Sequence, residues 1–297
     1  MAPGKLKTLF IINPILEKKR GENLSSLISE HLDSEKFEYQ MLHSEYPGHT
    51  SVLTRENAGK YGLIVAGGGD GTVNQVASGL VHSKTLLGIL PLGSGKGLSR
   101  ALGIPQDIRK AVQVLNKCNI SSIDTGLVGT HRFVNIAGIG FAAEVAAAYE
   151  GSRTRGFFPY AKNIIKKLPG YSPVFVEVKN EKRIVSGSFF DISFANSTQW
   201  GYGAHISPTS KPDDGLLEIC ILRKFPKLLV PGLLLRLYTK TIHRSRYMDI
   251  IPVKNAEISG QESFKGHVDG EPVDLTAPFH ISVEPGSLRV LTGLSTH

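Results

Sequence analysis

Residues 67–72 read Gly-Gly-Gly-Asp-Gly-Thr. They stand between an apolar run at Gly62–Ala66 and a segment with Val73, Val76, Ala77 and Leu80 at helical spacing. Glycines let backbone N–H groups approach a bulky anion, and a helix start adds the positive end of its dipole. An acid beside such a cradle repels bare phosphate, but a Mg2+ ion between the two turns it into a ligand. Asp70 in this place therefore points to a nucleoside triphosphate site that is not a P-loop. The plainer reading is a glycine-rich strand-to-helix turn with Asp70 near its cap.

A second glycine turn, Pro91-Leu92-Gly93-Ser94-Gly95-Lys96-Gly97, follows the apolar run Leu86–Leu90. Lys96 mimics a Walker lysine, but Leu90 stands where the first glycine belongs and Gly97 where Ser or Thr belongs. In a parallel sheet both turns open at one edge and can flank one nucleotide. Gly138-Ile139-Gly140-Phe141-Ala142-Ala143 matches a dinucleotide fingerprint without its later acid, and tight packing is the better explanation. Gly266–Val273 reads as a hairpin turning at Asp269-Gly270, which gives Asp269 a structural use, whereas Glu271 has the chemistry of a general base. Lys211-Pro212-Asp213-Asp214-Gly215-Leu216 fits two readings: a hard-cation loop built from one carboxylate and main-chain carbonyls, or a polar turn before a strand.

The elements that must hold these residues change character along the chain. Up to Asp124, strands at Thr8–Ile12, Phe37–Leu42, Gly62–Ala66 and Leu86–Leu90 alternate with helical segments at Asn23–Leu32, His49–Lys60, Thr72–Leu80 and Asp107–Asn116. Repeated βα units imply a largely parallel sheet. Beyond it, Phe133–Ala137, Val174–Lys179, Ile184–Phe194, Leu216–Leu222, Met248–Ile258 and Phe279–Val283 are strand-like, with turns at Asn180-Glu181, Asp269-Gly270 and Pro285-Gly286. The fold class expected is α/β plus all-β: an α/β domain over residues 1–125, completed by a C-terminal strand at 286–297, and an antiparallel β-sandwich over 126–285. Phe157–Leu168 and Phe225–Tyr247 interrupt the β series as helices carrying both apolar and basic residues, the second bent or split at Pro231-Gly232. Such helices suit either ordinary packing with a solvated basic edge or an anionic membrane surface.

The 297 residues carry 34 Lys and Arg against 26 Asp and Glu, a net charge of +8, which favours an anionic partner. Cys118 and Cys220 lack metal or disulfide spacing and read as reduced core thiols of a cytoplasmic protein. The N-terminal residues run into a strand, not a signal-peptide core, and no stretch of 18 apolar residues occurs, so no span of a membrane is expected.

Taken together, Ile12-Asn13-Pro14, Pro47-Gly48-His49, Gly67–Thr72 with Asn74, Pro91–Gly95, Asp213–Leu217 and Asp269-Gly270-Glu271 resemble, in order and spacing, the diacylglycerol kinase catalytic-domain superfamily. The resemblance covers nearly the whole chain. It implies an NAD kinase/diacylglycerol kinase-like fold with ATP between its two domains. It also implies an ATP- and Mg2+-dependent lipid kinase of phospholipid metabolism, acting on diacylglycerol or a sphingoid base. By that resemblance Asn13, Ser44, Gly68, Gly69, Asp70, Gly71, Thr72, Ser94 and Gly95 contact the nucleotide and its Mg2+. Glu271 is the catalytic base and Asp70 the catalytic acid partner of the metal. Asp214, with the carbonyls of Lys211 and Leu216, forms a structural Mg2+ site. The partner implied is a lipid at a membrane surface, met peripherally, rather than nucleic acid. An exposed edge strand permits a homodimer without requiring one. Two departures stand out: Ile15-Leu16-Glu17-Lys18 replaces the Ser-Gly common after Asn-Pro, and Lys96-Gly97 replaces Asn-Asp. These leave open a degenerate kinase fold that binds lipid or nucleotide without turnover. The Gly-Gly-Asp-Gly turn leaves open an NAD kinase-like enzyme, although no Asn-Asn-Glu or Asn-Asp-Glu motif follows it.

Overall fold

The computed structural model describes residues 4–21, 23–150 and 156–294. The chain divides into two compact units, Met1–Ile123 with Gly286–His297, and Asp124–Pro285.

The first unit is α/β. It runs β1 (Leu6–Ile12), α1 (Pro14–Arg20), α2 (Leu24–His31), β2 (Phe37–His43), α3 (His49–Asn57), β3 (Leu63–Gly68), α4 (Asp70–Leu80), β4 (Leu86–Pro91), α5 (Gly97–Ala101) and α6 (Ile108–Lys117). The strands lie side by side as β2, β1, β3, β4, all parallel, and Val290 of the returning chain pairs in parallel with Leu87. Strands covered on both faces read as unbroken apolar runs, and Leu9–Ile12, Leu63–Ala66 and Leu87–Leu90 are indeed buried. The helices α2, α4 and α6 add Leu24, Leu27 and Ile28, then Val73, Val76 and Leu80, then Ile108, Val112 and Leu115 to the core.

Helix α1 is not expected from periodicity. The Asn13 side chain accepts the N–H groups of Ile15 and Leu16, Pro14 suits the first turn, and Gly21 closes the end with φ 69°. Its last turn carries Lys18, Lys19 and Arg20. Conversely, α3 stops at Asn57, short of the expected Lys60.

The second unit is an antiparallel β-sandwich with β5 (Ile120–Val128), β6 (His131–Phe133), β7 (Ile136–Gly140), α7 (Phe141–Glu150), α8 (Phe157–Lys167), β8 (Val174–Lys179), β9 (Ile184–Ala195), β10 (Leu217–Arg223), α9 (Val230–Tyr238), β11 (Met248–Val253), β12 (Asn255–Ser259), β13 (Ser263–Val268), β14 (Glu271–Thr276) and β15 (Phe279–Leu291). Both β5 and β15 continue across the unit boundary. The long strand β9 pairs with β8 through its first half and with β7 and β10 through its second. A core of Phe133, Phe189, Phe194, Ile219, Phe264, Phe279 and their neighbours fills the unit.

Several expected elements differ in detail. Phe133–Ala137 is not one strand but the junction of β6 and β7, because the Asp269 carboxylate draws in the amides of Val134, Asn135 and Ile136. Met248–Ile258 divides at Lys254, since β11 pairs with β10 whereas β12 pairs with β8 and β15. β15 runs straight through Pro285-Gly286, where a turn is expected. Phe225–Tyr247 is split, as one of the two expectations has it, into a 3-10 turn at Lys227–Leu229, α9, which Pro231 opens, and a 3-10 turn at Ile242–Arg244; the proline starts a helix and does not bend one. Gly138 and Gly140 lie on an antiparallel strand, and a Cβ at Gly138 would meet the Ile192 carbonyl oxygen at 2.7 Å. Close strand packing therefore accounts for the dinucleotide-like spacing. Cys220 is buried but Cys118 is exposed, so only one of the two expected core thiols sits in the core. No helix among the described residues is long and apolar enough to cross a membrane.

Candidate active site

The C-terminal ends of parallel strands are where open α/β sheets bind ligands, and the first unit gathers its candidate residues there. Asn13 follows β1, Ser44 follows β2, Gly68 to Thr72 join β3 to α4, and Ser94 and Gly95 follow β4. Backbone bonds tie these ends together: Asn13 N–H donates to the Gly67 carbonyl at 2.8 Å and Ser44 N–H to the Ile12 carbonyl at 3.0 Å.

The two glycine turns touch backbone to backbone. Gly68 O accepts from both Leu92 N–H and Gly93 N–H, at 2.9 and 3.0 Å. A Cβ at Gly93 would lie 2.5 Å from the Gly69 Cα, and one at Gly95 would lie 2.5 Å from the Asp70 Oδ2. These are approaches that only glycine allows. A side chain at Gly68 would collide with Thr72, itself buried in the first turn of α4.

Asp70 locks the pair. Its Oδ2 accepts the Lys96 N–H at 3.0 Å and its Oδ1 accepts the Gly97 N–H at 3.1 Å. Burial raises the Asp70 pKa, and the Lys96 and Gly97 amides oppose that rise. Sequence reasoning assigns Asp70 to a metal. The structure adds a clamp at the N-terminal end of α5, made possible because Lys96 takes a left-handed backbone with φ 59°. Each carboxylate oxygen keeps a second lone pair, so the clamp leaves room for one metal bond. That fits Mg2+, which commonly takes one or two carboxylates and fills its shell from phosphate and water. Lys96 is lowered to about 8, by burial first and then by Arg20 and Arg100, with Asp70 opposing. A cationic rim thus stands beside the glycine turns, with Arg20 supplied by α1 and Arg100 by α5.

In the second unit, Glu271 opens β14 opposite Val268 across the Asp269-Gly270 turn. Both turn residues have positive φ, 48° and 89°, as a two-residue hairpin requires. The buried Asp269 carboxylate accepts the amides of Val134, Asn135 and Ile136 at 2.9, 2.9 and 3.0 Å. Asp269 therefore fixes the hairpin tip and leaves Glu271 exposed at its edge. Lys211, Asp214 and Leu216 lie on a separate loop, where Asp214 Oδ1 accepts the Leu216 N–H at 3.0 Å. Asp124 staples that loop: its Oδ2 accepts the Gly215 N–H at 2.7 Å, and its own N–H donates to the Pro212 carbonyl. Among the described residues no cluster of three or more His, Cys, Asp or Glu is poised to hold a metal. Any ion at either loop must draw on carbonyls, phosphate or water as well.

Sequence reasoning misses Asp191. It is a lone acid in the apolar run of β9, fully buried, accepting the Ala142 N–H at 2.8 Å and the Ser193 hydroxyl at 2.9 Å. Burial pushes it up to about 7 against those two bonds. A carboxyl whose folded pKa lies above its unfolded value of 3.8 favours folding while protonated. The second unit should therefore lose stability as pH rises from about 4 to about 7, then level off. Asp191→Asn should flatten that slope and raise stability above pH 7 by on the order of 2 kcal/mol, read by urea unfolding across pH. An unchanged slope would remove Asp191 as its source.

Comparison with known proteins adds an independent line. The family model for the diacylglycerol kinase catalytic domain matches residues 7–128, and that for the YegS C-terminal NAD kinase beta sandwich-like domain matches residues 135–292. The probable lipid kinase YegS-like of Chromohalobacter salexigens is 28% identical over 251 residues, 82% of this chain and 80% of that protein. The probable lipid kinase YegS of Salmonella typhimurium is 28% identical over 235 residues, 76% of each. A putative diacylglycerol kinase from Bacillus anthracis, known from its crystal structure, shares the fold with a TM-score of 0.80. It is 21% identical, covering 98% of this chain and 97% of that one. Yeast NADH kinase shares it more distantly, with a TM-score of 0.53 and 12% identity over 98% of this chain and 84% of that one.

Proposed function

Because the chain belongs to the family that joins a diacylglycerol kinase catalytic domain to a YegS-type β-sandwich, and is a lipid kinase, we propose that it transfers the γ-phosphoryl group of ATP, with Mg2+, to the hydroxyl of a lipid such as diacylglycerol or a sphingoid base. The observation that carries the nucleotide half is the Asp70 clamp, which holds two glycine turns together at the C-terminal edge of a parallel sheet.

Phosphoryl transfer asks a protein mainly for positioning and charge neutralisation. Mg2+ supplies charge neutralisation on the triphosphate when bound, with Asp70 as its carboxylate ligand. The backbone N–H groups of Gly69 to Thr72, at the start of α4, orient phosphate oxygens. Ser94 and Gly95 close the other side. Lys96 adds a cation, and Glu271 takes the proton from the lipid hydroxyl. A lipid hydroxyl has a pKa far above neutral, so its proton need leave only late in the transfer, and a carboxylate suffices as base.

Lys96 gives the reading a signature in pH. With a pKa near 8 it is largely charged at neutral pH and loses its charge just above. ATP affinity should fall as pH rises past about 8, and Lys96→Met should weaken binding about tenfold at neutral pH and remove that fall. Calorimetric titration of ATP across pH reads both; a variant with wild-type affinity and pH profile would take Lys96 out of the site.

Incubation with labelled ATP, Mg2+ and a mixed lipid extract, beside a parallel reaction with NAD, tests the acceptor class. The reading expects label in an organic-soluble product. Label on NAD would make the enzyme an NAD kinase, and nucleotide binding without any labelled product would make it a binding protein.

A further inference from the structure

The connection between β2 and α3 carries an aromatic pair that the core does not use. The rings of Tyr46 and His49 are stacked, with centroids 4.4 Å apart and planes 6° from parallel. The loop holds the pair in place. Gly48 turns the chain with φ 85°, the His49 N–H donates to the Tyr46 carbonyl at 3.1 Å, and the His49 Nδ1 accepts the Glu45 N–H at 3.0 Å. The imidazole covers one face of the phenol ring, yet Tyr46 stays 54% exposed. Stiffening the turn before α3 accounts for the face on His49. It gives the open face no use.

The position of Tyr46 supplies one. Strand order β2-β1-β3-β4 reverses its direction of growth between β1 and β3, and open α/β sheets take ligands at such a switch point. His43, Ile12, Gly67 and Leu90 stand in one row across the four strands. Just beyond that row, β3 leads into the Gly68–Thr72 turn and β2 leads into Ser44 and Tyr46. Two strand spacings, about 10 Å, separate the lines of β2 and β3.

The β4 side of the glycine turns is closed, because Asp70 draws the Lys96 and Gly97 amides onto it. A nucleotide with its phosphates on those turns therefore extends its nucleoside past β1 toward β2. The two connections on that side are tied together. Ser44 N–H donates to the Ile12 carbonyl at 3.0 Å, and Glu17 of α1 lies 2.9 Å from the His43 ring. Ile15, 76% exposed in the first turn of α1, adds apolar surface at the same edge.

We propose that Tyr46, backed by His49, is the platform on which the base of the nucleotide stacks. The proposal rests on the nucleotide half of the lipid-kinase reading and adds the subsite for the base. A purine presents a flat, uncharged π-face, and an exposed aromatic ring is its complement. Because His49 already holds the ring, stacking a base on it costs little further ordering.

The test is calorimetric titration of the full chain with ATP and with inorganic tripolyphosphate, each with Mg2+. Tripolyphosphate has the phosphate chain and no nucleoside. The wild type should prefer ATP. Tyr46→Ala should lose about tenfold in affinity for ATP and nothing for tripolyphosphate, whose retained binding also shows that the variant is folded. Tyr46→Phe should keep both affinities, since stacking uses the ring and not the hydroxyl. A Tyr46→Ala protein that binds ATP as the wild type does would overturn the platform. So would an equal loss of both ligands, which would make the ring a support for the loop. A wild type that binds neither ligand would sink the nucleotide reading and the platform with it. An ATP preference that Tyr46→Ala removes, in a protein that phosphorylates no lipid, would sustain the platform and sink only the transfer.

Discussion

Glu271→Gln should lower kcat for lipid phosphorylation by about 10²–10⁴-fold, the range ordinarily contributed by a positioned general base. The substitution keeps the shape of the side chain and removes its negative charge and its capacity to take a proton. Glu271 is exposed at the start of β14, and the hairpin tip beside it is held by Asp269 through three backbone amides. The Asp269 bonds that hold the hairpin tip are untouched by the substitution, so the variant should stay folded and keep its ATP affinity. Steady-state kinetics with a detergent-dispersed lipid, run beside thermal melting, separates the two effects. Near-normal kcat in the variant would mean that another group takes the proton.

Asp70→Ala should abolish detectable turnover and also cost stability. Read from sequence alone, the substitution removes a metal-side acid and spares the fold. The geometry requires more, because the Lys96 and Gly97 amides each lose their acceptor. An unsatisfied buried donor costs about 1–3 kcal/mol. Relief from holding a buried carboxylate offsets part of this, as the raised pKa of Asp70 indicates. A net loss of about 2 kcal/mol in urea unfolding is expected. Asp70→Asn keeps one acceptor oxygen, so it should recover part of the stability but not the activity. If Asp70→Ala unfolded at the wild-type midpoint, the clamp would carry no energetic weight.

The sequence exposes the parallel unit well because its signals are local. Buried parallel strands are apolar throughout, and Gly67–Thr72 and Pro91–Gly97 carry glycines where the backbones of two turns meet. What it hides depends on partners distant in the chain. Nothing near Val134-Asn135 announces the break between β6 and β7, since its cause is Asp269, more than 130 positions on. Pro285-Gly286 reads as a turn, yet β15 continues through it and carries the chain on to Val290 beside β4. The clamp is likewise invisible: Asp70 in a glycine run suggests a metal, and only the fold brings Lys96 and Gly97 to it. Asp191 and Asp124 sit in segments whose apolar or turn-like character dominates, so their buried and stapling roles appear only in three dimensions.

The central claim is that the Asp70-clamped turns present a triphosphate whose terminal phosphoryl group passes to a lipid alcohol. The most direct measurement is phosphorus NMR of the organic phase after wild-type protein has been incubated with ATP, Mg2+ and dispersed diacylglycerol or sphingoid base. The account predicts a new lipid phosphomonoester resonance growing as ADP accumulates, absent without Mg2+. ATP left intact, or split only to ADP and inorganic phosphate with both lipids unchanged, would contradict it.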